Sequence, residues 1–294
     1  MKALLKRRLA AVVVEIRPAE APQAPAMITG DEAGFFSDCT RRVAAADGAI
    51  VDLGCWMGGT AIALAKGLPQ DRGTQFVRAY DRFIWEDWMP ANTYCRYRPG
   101  ESFLPEARRV VADRAGPAVE LIQADLTQAQ WTSGPIKLLL VDAMKSELLA
   151  RSIAQAFFPH LRKGALVIHQ DFKHFYTSWI HLLHYRLKEF FRPVHSVTHG
   201  GTVAFEVMDA IPKAAIDAAT RFDGISDGDA DRCFEYSLSL VPPAEQANVA
   251  AAHVMHYVHA GRKPQASERM DRYRGAGFVH RGEFPNVVPL LARL

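Results

Sequence analysis

Three aspartates and a run of glycines carry the most legible chemistry in this chain. Asp52 lies near the end of a short apolar run, Ala49–Leu53. Asp81 ends a second, residues 75–81, and Asp125 follows a third, residues 119–122. Behind the first aspartate stand Gly54, Gly58, Gly59 and Thr60, opening a helical stretch. Glycines here let the backbone turn tightly and approach a ligand, and the helix N-terminus then faces that ligand. The spacing is G-x-x-x-G-G, not the G-x-G-x-x-G of dinucleotide sites. A carboxylate at position 52 would repel a diphosphate, yet it can accept a hydrogen bond from an ammonium, directly or through water. Asp81 stands where a carboxylate can bind both ribose hydroxyls, and Asp125 can meet an adenine amino group. Any one of these aspartates alone would pass for a turn residue. Three at successive strand ends, on the edge where open α/β sheets bind ligands, fit S-adenosylmethionine, which carries an amine, a ribose and an adenine but no phosphate.

The elements that must position these groups follow from periodicity. Strands are expected at Ala49–Leu53, 75–81, 119–122, 136–142 and 165–169, with helices between them. Thr29 and Glu32 have capping-box spacing ahead of a helix bearing Phe35, Phe36, Cys39 and Val43. A helix is expected over residues 176–191. Residues 194–199 and 202–207 then read as a hairpin whose Gly200–Gly201 supplies the left-handed turn. Alternating strands and helices require a parallel sheet with right-handed crossovers. The fold class is therefore a Rossmann-like, doubly wound, mostly parallel α/β sheet closing on an antiparallel hairpin. Residues 209–294 show no further β-α-β signal. They read as helices over 243–259 and 267–274 with an apolar tail, a helical cap or a segment for homo-oligomerisation. The expected organisation is a basic segment and proline linker at 1–26, a sheet domain at 27–208 and the helical extension at 209–294.

The net charge of +3 is too small to argue for nucleic acid, and five basic residues against one acid lie within the first seventeen positions. That start reads as a basic amphipathic segment rather than a cleaved signal. No apolar run is long enough for a transmembrane segment. Four cysteines without a C-x-x-C pair suit a cytoplasmic protein.

DLGCWMGGTAIALA (residues 52–65), YDRF (80–83) and the aromatic stretch after it, VDAMKS (141–146) and LRKGALVIHQDF (161–172) resemble the macrocin O-methyltransferase-like family of class I methyltransferases. The resemblance covers about residues 28–208. It implies O-methylation of sugar hydroxyls, on a small-molecule or glycan acceptor, assisted by magnesium. Carried over by position, Asp142 falls on the first metal carboxylate and Asp171 on the second acid of a D-D pair. Gln170 stands in place of that pair's first acid. Lys145 adds a cation beside the expected ion.

Methyl transfer to oxygen is an in-line displacement, so the acceptor must be oriented and helped to lose a proton. A metal held by Asp142 and Asp171 would do this. Without one, His169 or His174 is the expected base, with Lys145 positioning the hydroxyl; His169 reads equally well as a core histidine. In residues 82–105, Trp85, Trp88, Tyr94 and Tyr97 with Arg96 and Arg98 either stack on an acceptor or bury their own loop. His181, His184 and Lys188 read as a polar helix face. His253, His256 and His259 lack the spacing and the carboxylate of a metal site. Two rivals share these features: a hydroxylase on the same fold, and a noncatalytic cofactor-binding scaffold.

Overall fold

The computed structural model describes residues 26–71, 73–89 and 97–294. The basic start, the proline linker, Tyr94 and Arg96 lie outside the described residues.

Helix α1 (Gly30–Arg42) begins as expected. Thr29 Oγ1 accepts from the Glu32 backbone and the Glu32 carboxylate accepts from the Thr29 backbone. Acids in the first turn and arginines in the last complement the helix dipole. There follow β1 (Ala49–Leu53), α2 (Gly59–Ala65), β2 (Val77–Asp81), α3 (Leu104–Arg114), β3 (Val119–Gln123), β4 (Ile136–Val141), α4 (Glu147–Phe157), β5 (Leu161–His169), α5 (Ser178–Arg186), β6 (Phe191–Ser196) and β7 (Val203–Val207). The seven strands form one sheet in the order β3-β2-β1-β4-β5-β7-β6. Strands β1 to β5 run parallel, and β7 is antiparallel to both β5 and β6. The strand order reverses between β1 and β4, which opens a crevice at their carboxyl ends.

Strand alternation divides the core. Ile50, Leu138, Leu140 and Ile168 pack with α1, α2 and α3 on one face. Val51, Leu139, Val141 and Val167 pack with α4 and α5 on the other. That second cluster continues into the C-terminal helices through Ile216, Phe234 and Val249. These helices are α6 (Lys213–Ala219), α7 (Asp227–Leu238), α8 (Gln246–His259), α9 (Lys263–Gly275) and α10 (Val287–Ala292). Sequence periodicity located α8 and α9 but not α6 or α7. Among the described residues no helix is long and apolar enough to cross a membrane.

Four local expectations need correction. The helix expected over 176–191 ends at Arg186, and the first hairpin strand is Phe191–Ser196 instead of 194–199. Strand β5 begins at Leu161, because Ile136 pairs with Leu161 and Leu138 with Leu166; Arg162, Lys163 and Gly164 bulge out between them. In the hairpin the left-handed residue is His199, with φ 60°, and neither glycine takes a positive φ. A Cβ at Gly200 would lie 2.5 Å from the Glu32 carboxylate, and one at Gly201 would overlap the Gln170 carbonyl oxygen. These glycines serve close approach instead of the turn. Finally, His181 and His184 are not a solvated face: both are fully buried, His181 against Phe234 of α7 and His184 against Phe205 of β7.

Candidate active site

The turn after β1 is built by mutual contact. Gly54 has φ 91°, and a Cβ there would overlap the Asp142 carbonyl oxygen, so the loops leaving β1 and β4 touch at this residue. Trp56 and Phe83 both hold positive φ, which is costly for residues with side chains. Asp81 secures both: Oδ2 accepts from the Trp56 backbone N–H at 2.9 Å and Oδ1 from that of Phe83 at 2.8 Å. Burial raises the Asp81 pKa, and these bonds oppose the rise. Asp125 accepts from the backbone and hydroxyl of Thr127 at 2.9 and 2.7 Å, bonds that lower its pKa.

Behind this turn, Thr60 Oγ1 donates to Asp52 Oδ2 at 2.6 Å. Thr60 therefore orients Asp52 and does not itself face the cleft. Asp52 is fully buried, and burial pushes its pKa up to about 7, against the Thr60 bond and with Asp81 adding to the rise. Its Oδ1 has no hydrogen-bond partner. A buried carboxylate oxygen without a donor is costly.

A cavity of about 810 Å³ opens in front of this turn, lined by Gly54, Trp56, Asp81, Asp125 and Thr127 on one side and by Asp142, Ala143 and Lys145 on the other. Asp52, Gly58, Gly59 and Thr60 stand one layer back from it. The residues present fit S-adenosylmethionine: Asp81 and Asp125 line the cavity and keep lone pairs beyond their internal bonds, and the partnerless Asp52 oxygen behind them calls for a donor that a water bridging to an amine would supply.

The loops after β4 and β5 bring the second group together. The Lys145 ammonium donates to Asp142 Oδ1 at 2.9 Å and to Asp171 Oδ2 at 2.6 Å. Oriented by its hydrogen-bond surroundings, the Gln170 amide nitrogen donates to Asp171 Oδ1 at 3.0 Å and Asp142 Oδ1 at 3.2 Å. All these bonds on Asp142 fall on one oxygen. Burial drives the Asp142 pKa well upward, with Asp171 adding to it and Lys145 opposing. Burial alone would lower Lys145, but the two carboxylates outweigh it and the net shift is upward, so the ammonium stays charged.

The expected ligands Asp142, Gln170 and Asp171 thus do converge, but they do not fit a divalent ion. Gln170 is a neutral amide where the pattern calls for an acid, and an ammonium already bridges the carboxylates. Among the described residues no three or more His, Cys, Asp or Glu side chains are grouped to hold a metal. His169 is the core histidine of its two expected roles. It is fully buried against His184, with burial lowering its pKa to about 3. His174 lines the cleft, but its Nδ1 accepts from the Tyr176 backbone at 3.1 Å. The neutral ring then carries its proton on Nε2 and presents a donor, not a base.

A second cavity of about 640 Å³ shares Met27, Trp88, Asp142, Lys145 and His174 with the first. Its far wall was not visible in the sequence. Glu245, Asn248 and Glu283 come from the C-terminal extension, and Glu32 from α1. The buried Lys173 ammonium donates to Val197 O at 2.6 Å and Glu245 Oε2 at 2.7 Å, while Glu245 Oε1 accepts from the His199 backbone at 2.7 Å. Glu283 Oε2 accepts from the Phe175 backbone at 2.8 Å. Only Glu32 had left a sequence signal, its capping box; the other pairs span 46 to 108 positions. In the aromatic loop the two roles separate. Trp85 is buried edge-on against Phe103 and Tyr97 also packs there, whereas Trp88 is 60% exposed and lines both cavities.

Five parallel strands closed by an antiparallel β7 inserted beside β5, with a ligand-sized cleft at the β1/β4 switch point, decide the architecture. The chain has the class I methyltransferase fold. Solved structures similar to it include the O-methyltransferase NovP, at 17% identity and a TM-score of 0.48 over 61% of this chain and 81% of that one. The calicheamicin methyltransferase CalS11 is similar at 13% identity and 0.45, over 60% and 78%. The S-adenosylhomocysteine-bound methyltransferase PaMTH1 of Podospora anserina is similar at 14% and 0.42, over 62% and 80%. No known family profile and no curated protein matches the sequence. At such distances the function rests on the site's own geometry.

Proposed function

We propose that the protein is an S-adenosylmethionine-dependent O-methyltransferase acting on a sugar or other small polyhydroxylated acceptor, without a divalent metal. The observation that carries this reading is the meeting of two cavities at Asp142, Lys145 and His174. One cavity has the groups for the cofactor; the other holds an acceptor at the junction.

When bound, S-adenosylmethionine supplies a methyl group on a sulfonium, which an acceptor oxygen takes with release of the neutral thioether. Asp81 would hold its ribose and Asp125 its adenine, while Asp52, one layer behind, would reach its amine through water. Asp142 Oδ2, the oxygen that Lys145 and Gln170 leave open, takes the acceptor's hydroxyl proton; its raised pKa makes it a stronger base than an exposed aspartate. His174 donates from Nε2 to a neighbouring hydroxyl, and Trp88 offers a face for a sugar ring. The acceptor cavity is lined by Glu32, Asp142, Asp171, Glu245 and Glu283 against Lys145 and Lys173. That balance favours a neutral or cationic polyol over a phosphate-bearing one. The buried free thiols Cys39, Cys55 and Cys233 suit a reducing, cytoplasmic setting.

The test is transfer of labelled methyl groups from S-adenosylmethionine to a panel of neutral glycosides, amino sugars and nucleotide sugars, with and without chelator. Transfer to a neutral or amino sugar, unchanged by chelation and lost in Asp142→Asn, is expected. Tight cofactor binding with no transfer to any hydroxylated compound would overturn the reading in favour of a scaffold.

A further inference from the structure

The place where the sequence resemblance calls for a metal ion holds a side chain of the chain itself. Two carboxylates, Asp142 and Asp171, share one small volume at the ends of neighbouring strands. Left alone they would repel each other. Lys145, three residues past Asp142, lies at 2.9 and 2.6 Å from them and bonds both. Gln170 adds N–H contacts at 3.0 and 3.2 Å. An acid at position 170 would set three carboxylates against the single ammonium of Lys145 and double the uncompensated charge; the neutral amide avoids this and donates instead.

An ammonium has three donors. Two of those on Lys145 go to Asp142 and Asp171, and the side chain is 44% exposed and lines both cavities. We propose that Lys145 is a built-in cation that takes the metal's place: it fixes the two carboxylates and turns its third N–H toward the acceptor oxygen as negative charge develops there. This rests on the methyltransferase reading for the acceptor's part. The cation's place can be tested without any acceptor.

The experiment follows Mn²⁺ binding to the full chain by electron paramagnetic resonance and calorimetry, with S-adenosylhomocysteine binding as the check on folding. Wild type should show no saturable site below about 1 mM, because a bound ammonium and a divalent ion cannot share one pair of carboxylates. Lys145→Met with Gln170→Asp should gain one Mn²⁺ site at least about tenfold tighter, since it supplies three carboxylates and no competing cation. Asp142→Asn in that background should abolish it. One equivalent of Mn²⁺ on wild type, lost in Asp142→Asn but kept in Lys145→Met, would overturn the proposal. So would a folded double variant that binds no Mn²⁺. Either result leaves the methyl-transfer test standing, so the two failures are separable.

Discussion

Asp52 shows what one buried atom implies. Its carboxylate is held by a single hydroxyl, and its other oxygen is orphaned. The folded pKa is raised to about 7 by burial, so the charged form that an ammonium prefers is fully present only above that pH. S-adenosylhomocysteine affinity should therefore fall roughly tenfold per pH unit below about 7, from linkage of one proton. Calorimetry between pH 5.5 and 8.5 checks it, and a flat profile would remove Asp52 from the amine site. Thr60→Val should shift the break upward, because the Thr60 bond opposes the rise.

Among elements, the strand–loop contacts around Lys173 join the β5 loop, the β6–β7 turn and the segment before α8 through one buried ion pair. Removing one partner strands the other's charge. Glu245→Gln should destabilise the protein by about 3 kcal/mol, whereas Lys173→Met with Glu245→Leu should recover most of that loss. Thermal melts of the two variants and wild type decide it; equal melts for wild type and Glu245→Gln would show that the pair holds nothing. The hairpin teaches the same lesson. Gly200–Gly201 marked a turn correctly from sequence, but for the wrong physical reason. The demand is steric, set by Glu32, 168 residues earlier, and by the Gln170 carbonyl.

Across the whole molecule, the sheet and the C-terminal helices share one core, and histidines are among its buried polar side chains. His169, His181 and His184 are fully buried with partnerless ring nitrogens. Burial lowers the first two to about 3 and His184 well below its ordinary value. A folded pKa below the unfolded value gives stability that is complete above about pH 6.5. It is lost as pH falls, by about 1.4 kcal/mol per unit for each histidine. The melting temperature should drop steeply from pH 7 to pH 5, and His184→Leu should flatten the slope. A slope unchanged by that substitution would mean that other groups govern the acid limit.

What the sequence determined is what short-range spacing encodes. Alternating and helical periodicities placed the five parallel strands, and the Thr29–Glu32 box placed a helix start. Asp52, Asp81 and Asp125 fell at strand ends because a parallel sheet aligns those ends on one edge. The tertiary structure alone decided which polar groups meet. It turned Thr60 toward Asp52, set Lys145 between two carboxylates 29 positions apart, and built a cavity wall from residues beyond 240. It also buried the histidine face of α5. A polar face looks the same in sequence whether water, α7 or the sheet lies over it, and what covers it is fixed only by long-range packing.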